Sequence, residues 1–355
     1  MKNRVIEIGA RPTRLRIERR QLVIEQRVGG SNGRRGDGAD GVATSSRVPI
    51  DDLAVLCLAH PQISLTQPVL AELADRGTAV VVCDRQRMPA GLLMPLDAHS
   101  VQAERIRAQL DLSAPRRKRL WQAVVRAKIL MQAELLRARG CDDRPLRTLI
   151  RQVRSGDVGN VESQAARIYW TTLFGSDFRR DRDAARQNAA LNYGYAVVRA
   201  AVARAICGSG LHPSIGLHHS NKYNAFCLAD DLIEPFRPCV DRVVAEAFPR
   251  SEPQPDPTPF DPGGEGLDQA ARRTLLTVLT DSVAIGGETR GLLDAIGRVT
   301  ASLAQAIADP AASLTLPESL GIGSAETAPP IDRTLQAARR STGEGRSPPR
   351  KQTGS

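Results

Sequence analysis

The sequence predicts an α+β fold in which a small, mostly β domain at the N-terminus is followed by a larger all-α domain. Two observations carry this. From residue 4 to about 96 the apolar residues fall in short β-type runs, one of them strictly alternating, and after Leu96 they recur with a period near 3.6 as far as about residue 309. Every Phe, Tyr and Trp lies between Trp121 and Phe260, so aromatic packing belongs to the second region alone. The expected division is a β-rich domain over 1–96, a helical domain over 97–309 and a disordered tail over 310–355.

In the first region the runs 4–10, 15–25, 53–58 and 78–83 read as strands. One helix interrupts them, at 67–76, with apolar Val69, Leu70, Leu73 and Ala74 on one face and Gly77 placed to end it. Residues 29–46, rich in Gly, Ser, Asn and Asp, read as a flexible insertion. In the second region helices are expected at 101–112, 116–139, 146–154, 161–174, 184–206, 228–248, 267–280 and 290–308, with a Pro-rich loop at 251–266. Past Pro310 only a short stretch near 333–340 has helical spacing.

Length and composition exclude a miniature scaffold and global disorder. A net charge of +10 favours a polyanionic partner, nucleic acid or an acidic membrane surface, although only five of the 49 basic residues are lysine, and general Arg enrichment accounts for the same number. The six cysteines form no CxxC pair, which argues against a zinc site or disulfide framework. The first residues lack the apolar core of a secretory signal, and no apolar stretch is long enough for a membrane span. The chain therefore reads as cytoplasmic.

Chemistry concentrates between Gly216 and Pro238, where two of five histidines, His218 and His219, stand near Asp230, Asp231 and Glu234. On a helix starting near Leu228, Asp231 and Glu234 are an i, i+3 pair, and the preceding loop can return an imidazole to the same point. Two carboxylates and one imidazole suit Mg2+ or Mn2+ with water completing the shell. Acidic residues in a first helical turn also complement the helix dipole, and adjacent histidines point in different directions, so at most one of the two is a ligand. Glu162 starts an otherwise small and apolar helix and carries the same pair of readings, ligand or dipole partner.

Together these segments resemble the CRISPR-associated spacer-acquisition integrases, the "Cas one" endonuclease family, and within it the version found in type II systems. The resemblance rests on Asn192-Tyr193-Gly194-Tyr195, the turn Gly208-Ser209-Gly210-Leu211-His212-Pro213, and His218 through Pro238. It extends to Val48-Pro49-Ile50-Asp51-Asp52-Leu53, His60-Pro61-Gln62-Ile63, Val80-Val81-Val82-Cys83-Asp84 and Gly91-Leu92-Leu93-Met94-Pro95-Leu96, about residues 4 to 300 in all. It implies a β-sandwich-like N-terminal domain for dimerisation and a helical catalytic domain. It implies metal ligands Glu162, His219 and Glu234, with His219 preferred to His218 for its spacing to the acidic residue and Asp231 supporting the site. The implied reaction is attack of a DNA 3′-hydroxyl on a phosphodiester at the edge of a CRISPR repeat, with Mg2+ or Mn2+ as cofactor. The implied partners are double-stranded DNA, as prespacer and repeat, a second copy of the chain, the small "Cas two" protein in a heterohexamer, and other type II proteins. Ser163 stands where the family usually has Ala, and Cys227 replaces a commonly polar residue, but neither removes a ligand. Nothing is carried onto residues 29–46 or the segment after 308.

Arg167, five residues beyond Glu162, and Arg237, three beyond Glu234, are candidates to grip a phosphate or to orient those carboxylates. Arg116-Arg117-Lys118-Arg119 opens a predicted helix, where positive charge is unfavourable, and so reads as a DNA-backbone contact. The run Arg179 to Arg182 reads as a solvated connector. Two other functions fit the same residues: a stand-alone metal-dependent nuclease acting on branched DNA, and an inert DNA-binding scaffold.

Overall fold

Leu53–Leu58, β5, is apolar at all six positions, the signature of a strand covered on both faces. In the computed structural model, which describes residues 4–27, 43–95, 98–181, 187–247 and 267–321, both faces of β5 are indeed buried. Leu53, Leu56 and Leu58 belong to one core and Ala54, Val55 and Cys57 to a second, much larger one. The other N-terminal elements are β1 (Arg4–Ile8), β2 (Thr13–Glu18), β3 (Gln21–Arg27), β4 (Ala43–Pro49), β6 (Ile63–Leu65), α1 (Gln67–Asp75), β7 (Ala79–Cys83) and β8 (Pro89–Leu93). They form two four-stranded sheets, β1-β5-β7-β8 and β4-β3-β2-β6. Ile8, Leu15, Leu22, Ile24, Val48, Val69 and Leu73 share the smaller core with β5.

Helices dominate the rest: α2 (Gln102–Leu110), α3 (Ala114–Ala138), α4 (Arg144–Ile150), α5 (Val161–Phe174), α6 (Gln187–Gly208), α7 (Cys227–Ile233), α8 (Arg237–Ala247) and α9 (Gln269–Leu276). They are followed by strands β9 (Ser282–Ile285) and β10 (Glu288–Gly291), helix α10 (Leu292–Ala308) and strand β11 (Pro317–Leu320). Trp121, Tyr169, Tyr193 and Phe236 fill the larger core, and Val55 and Cys57 reach it from β5. The chain is thus mixed α+β, with N-terminal sheets and a mostly helical remainder. No described helix is long and apolar enough to cross a membrane.

Four expectations are corrected. The run 15–25 is two strands, because Arg19 and Arg20 both take positive φ, 48° and 62°, and turn the chain between β2 and β3. Residues 43–46, expected to be loop, pair with β3 as part of β4, while 28–42 lie outside the described residues. The second region is not all-α: β9, β10 and β11 form an antiparallel sheet, order β10-β9-β11, turning at Gly286-Gly287 with φ 59° and 76°. Its third strand comes from 317–320, inside the expected tail, whose remainder from 322, like the loop at 251–266, lies outside the described residues. The expected helix 228–248 breaks at Glu234-Pro235-Phe236 into α7, a 3-10 turn and α8, since Pro235 has no N–H to continue the ladder.

Candidate functional site

Three elements converge beside the long helix α3. At the start of α5, Asp157 accepts hydrogen bonds from the backbone N–H groups of Val161 and Glu162, both at 3.0 Å. Asp157 therefore takes the capping task, and the Glu162 carboxylate is left to meet Lys128 of α3, whose Nζ is 2.6 Å from Glu162 Oε1. Glu234 sits at the break between α7 and α8, where its Oε2 lies 2.6 Å from the same Nζ and its Oε1 accepts from Arg237 Nε at 2.9 Å. The 2.6 Å contact makes Lys128 a cation shared between the two carboxylates. Burial alone would raise the Glu234 pKa, but the charges of Arg237 and Lys128 outweigh it and hold the carboxyl down to about 2. Burial pushes Lys128 the other way, and Glu234 and Glu162 keep its ammonium charged.

The third element is the loop before α7. Asp231 is fully buried and accepts from the backbone N–H groups of Leu217, His218 and His219. Its Oδ1 is also 2.7 Å from His219 Nδ1, so Nδ1 donates and Nε2 is the ring nitrogen left for chemistry. That hydrogen bond raises the His219 pKa against the opposing effect of burial. The loop closes this tightly because residue 216 is glycine: a Cβ there would stand 2.3 Å from the His219 carbonyl oxygen. The two histidines diverge. His218 stacks flat on Trp121 of α3, ring centroids 4.5 Å apart, whereas His219 meets the same indole edge-on.

Asp231 and Glu234 thus do different work, each carboxylate engaged by its own partners. Asp231 organises His219 and its loop, while Glu234 pairs with Glu162 across Lys128. Among the described residues no three His, Cys, Asp or Glu side chains are gathered closely enough to hold a metal ion. The donor set nonetheless suits a hard divalent ion in kind. Two carboxylates from separate elements converge on one cationic point, and the Glu234 charge reaches an imidazole whose Nδ1 is already fixed by Asp231.

The arginines sort differently from expectation. Arg237 binds Glu234 and lies over the Tyr195 ring at 4.5 Å, an orienting role. Arg167 is exposed and forms no ion pair with Glu162. Arg116 caps the last carbonyls of α10, donating to Ala306 and Asp309, a structural post in place of the expected phosphate contact. Arg117 donates to the Leu112 carbonyl at 3.3 Å, and Lys118 and Arg119 are exposed. Arg180, expected in a solvated connector, instead donates to the Asn188 and Asn192 amide oxygens at the start of α6. Lys128 and Trp121 escaped the sequence reading; the only signal was a lysine, rare in this chain, among the apolar residues of a helix.

Comparison with known proteins agrees with this architecture. The family model for CRISPR associated protein Cas1 matches residues 8–281. The CRISPR-associated endonuclease Cas1 of Neisseria meningitidis is 38% identical over 310 residues, 86% of this chain and 93% of that protein. Among solved structures, a casposase bound to integration product superposes with a TM-score of 0.67 at 18% identity, over 88% of this chain and 92% of that one. A Cas6-RT-Cas1–Cas2 complex superposes with 0.62 at 16% identity, over 86% of this chain and 35% of that one. With a family match across most of its length and a relative this similar, the chain belongs to the Cas1 family of CRISPR-associated proteins.

Proposed function

We propose that this chain is a metal-dependent DNA endonuclease and integrase of CRISPR adaptation, which acts in the cytoplasm and inserts new spacers by 3′-hydroxyl attack on phosphodiesters at the repeat edge. The observation that carries the reading is the convergence of Glu162 and Glu234 on one cationic point, with His219 near enough for the Glu234 charge to act on its imidazole. Glu162, Glu234 and His219 would hold Mg2+ or Mn2+, which would supply charge neutralisation at the phosphate and a more acidic attacking hydroxyl. Asp231 fixes the imidazole orientation and Arg237 fixes the Glu234 carboxylate, so both ligands are set before substrate arrives. Lys128 keeps the two carboxylates together in the metal-free protein, and with Arg237 on Glu234 the cluster is neutral.

Double-stranded DNA, as prespacer and repeat, is the substrate in this reading. A second copy of the chain and a Cas2-like partner complete a heterohexamer, supported by the likeness to the Cas1 portion of a complex that contains Cas2. The test is strand transfer: protein with its small partner, a repeat-bearing supercoiled plasmid, a labelled duplex with free 3′ ends, and Mn2+ or Mg2+. Label should enter the plasmid only with the divalent ion, and Glu162→Gln and His219→Ala should each abolish entry while leaving DNA binding intact. Cutting of branched DNA without joining would replace this reading with that of a stand-alone nuclease.

A further inference from the structure

On another face of α3 from Lys128 lies an open cleft of about 480 Å3, lined by Pro115, Arg119, Gln122, Arg126, Arg151, Val153, Arg154 and Ser155. Residues 119, 122 and 126 are spaced to share one helical face, away from the Trp121 and Lys128 stripe. The opposite wall is the connector running from α4 to α5, and it is pinned in place: the Val153 carbonyl accepts from Gln122 Nε2 at 2.7 Å and from Arg126 Nη2 at 2.9 Å. Gly156 then turns the chain with φ 73°, against the Lys118 side chain, and leads it to Glu162.

Four guanidinium groups in one cleft repel one another, and proteins usually set carboxylates among them. On α4 this happens one turn away, where Arg144 pairs with Asp142 and Arg147 with Asp143 and Glu134. Arg119, Arg126, Arg151 and Arg154 pair with no carboxylate among the described residues, and the cleft lining contains none. Cations left unneutralised in a shaped, partly rigid cleft are complementary to a row of phosphates, which presents anionic oxygens that guanidinium forks bind.

We propose that this cleft binds the DNA backbone, taking the phosphates of the strand that runs on from the reacting phosphodiester around α3. The inference rests on the integrase reading and deepens it: the same connector that forms the cleft wall delivers Glu162, so backbone held here sets the register of the DNA at the chemical site. Of the basic run at 116–119, only Arg119 lines the cleft; Arg126, Arg151 and Arg154 come from positions the sequence pattern did not single out.

The experiment measures binding of two unrelated 30-base-pair duplexes by fluorescence anisotropy across a salt series, for the unmodified protein and for the double variant Arg119→Ala/Arg154→Ala. Neither residue holds the wall or touches the carboxylates. Each lost phosphate contact lowers the slope of log K against log salt by about 0.9, so the double variant should lose about two units of slope, equally on both duplexes. An unchanged slope overturns the inference and leaves the integrase reading standing. Equal loss in the control Arg290→Ala/Arg298→Ala, which removes the same charge from ion-paired positions around α10, overturns it as well, because net charge and not the cleft would then be responsible. Failure of the unmodified protein to bind either duplex overturns both.

Discussion

An ammonium between two carboxylates holds together charges that would otherwise repel, and this gives Lys128 a consequence that can be measured. With Lys128→Met, Glu162 loses its cation and Glu234 keeps only Arg237, and removing one partner of such a buried group costs about 3 kcal/mol in the metal-free protein. Thermal melting should show that loss in EDTA and a larger Mn2+-induced rise than in the unmodified protein, because the ion no longer competes with the ammonium; an equal rise in both would rule out a shared position. At Gly216 the constraint is steric. Gly216→Ala drives a Cβ into the His219 carbonyl, so the loop must move and His219 loses its alignment with Asp231. Strand transfer should fall by at least tenfold, and the melting temperature should fall too, because the loop's N–H groups are what satisfy the buried Asp231 carboxylate. Of the site residues, His219, Asp231 and Glu234 stand in one short motif and Glu162 in another, and it is the family resemblance, not spacing alone, that singles out the set. Lys128 could not be singled out: it reaches Glu162 across 34 positions, and only the packing of α3 against α5 brings them together.

At the level of elements, the site depends on where helices stop. The 3-10 turn at Glu234-Pro235-Phe236 puts Glu234 at a helix end, where its carboxylate reaches α3 and its neighbour Arg237 starts the next helix. Behind it, Asp241 of α8 accepts hydrogen bonds from Tyr169 of α5 and Tyr195 of α6, and so ties three helices at one buried point. Burial raises the Asp241 pKa to about 6, and the two hydroxyls and nearby arginines only partly offset it. The folded-state value lies above the unfolded one, so the stabilisation belongs to the protonated form: it is full below about pH 4 and is lost as pH rises through 6. Urea unfolding of Asp241→Asn beside the unmodified protein should show their difference shifting by about 3 kcal/mol in the variant's favour between pH 4 and 7. A constant difference would mean Asp241 titrates normally. The elements that escaped the sequence reading share a cause. The β2–β3 turn is made by Arg19-Arg20 where Gly or Asn would signal it, and β9 and β11 are four-residue strands too short for a period to register. Leu53–Leu58, apolar at every position, could be read directly.

Across the whole molecule, the N-terminal sheet and the helical region are joined by more than apolar contact. Glu7 of β1 and Arg272 of α9 form an ion pair at 2.9 Å with side chains 2% and 1% exposed, 265 residues apart in sequence. Each also keeps one buried atom without a hydrogen bond, Glu7 Oε2 and Arg272 Nη2, although Arg273 Nε stands 4.0 Å from Glu7 Oε2 as a second, more exposed cation. Such a pair adds little net stability, because desolvating both ions consumes most of their attraction, yet breaking it strands a bare charge in the core. Arg272→Met, which leaves Glu7 with Arg273 alone, should therefore cost about 3 kcal/mol, whereas Glu7→Gln/Arg272→Met, with the buried carboxylate charge gone, should recover most of that loss. Denaturant melts of the two single variants and the double close the cycle, with circular dichroism and tryptophan emission followed together. Both tryptophans lie in the helical region, and β5 contributes to both cores, so the two signals should stay coincident in every variant. If the double variant were as unstable as Arg272→Met, the pair would be a true stabiliser of the junction. If instead the two signals separated, the sheets and the helices would be folding as independent units, and the shared faces of β5 would not be what couples them.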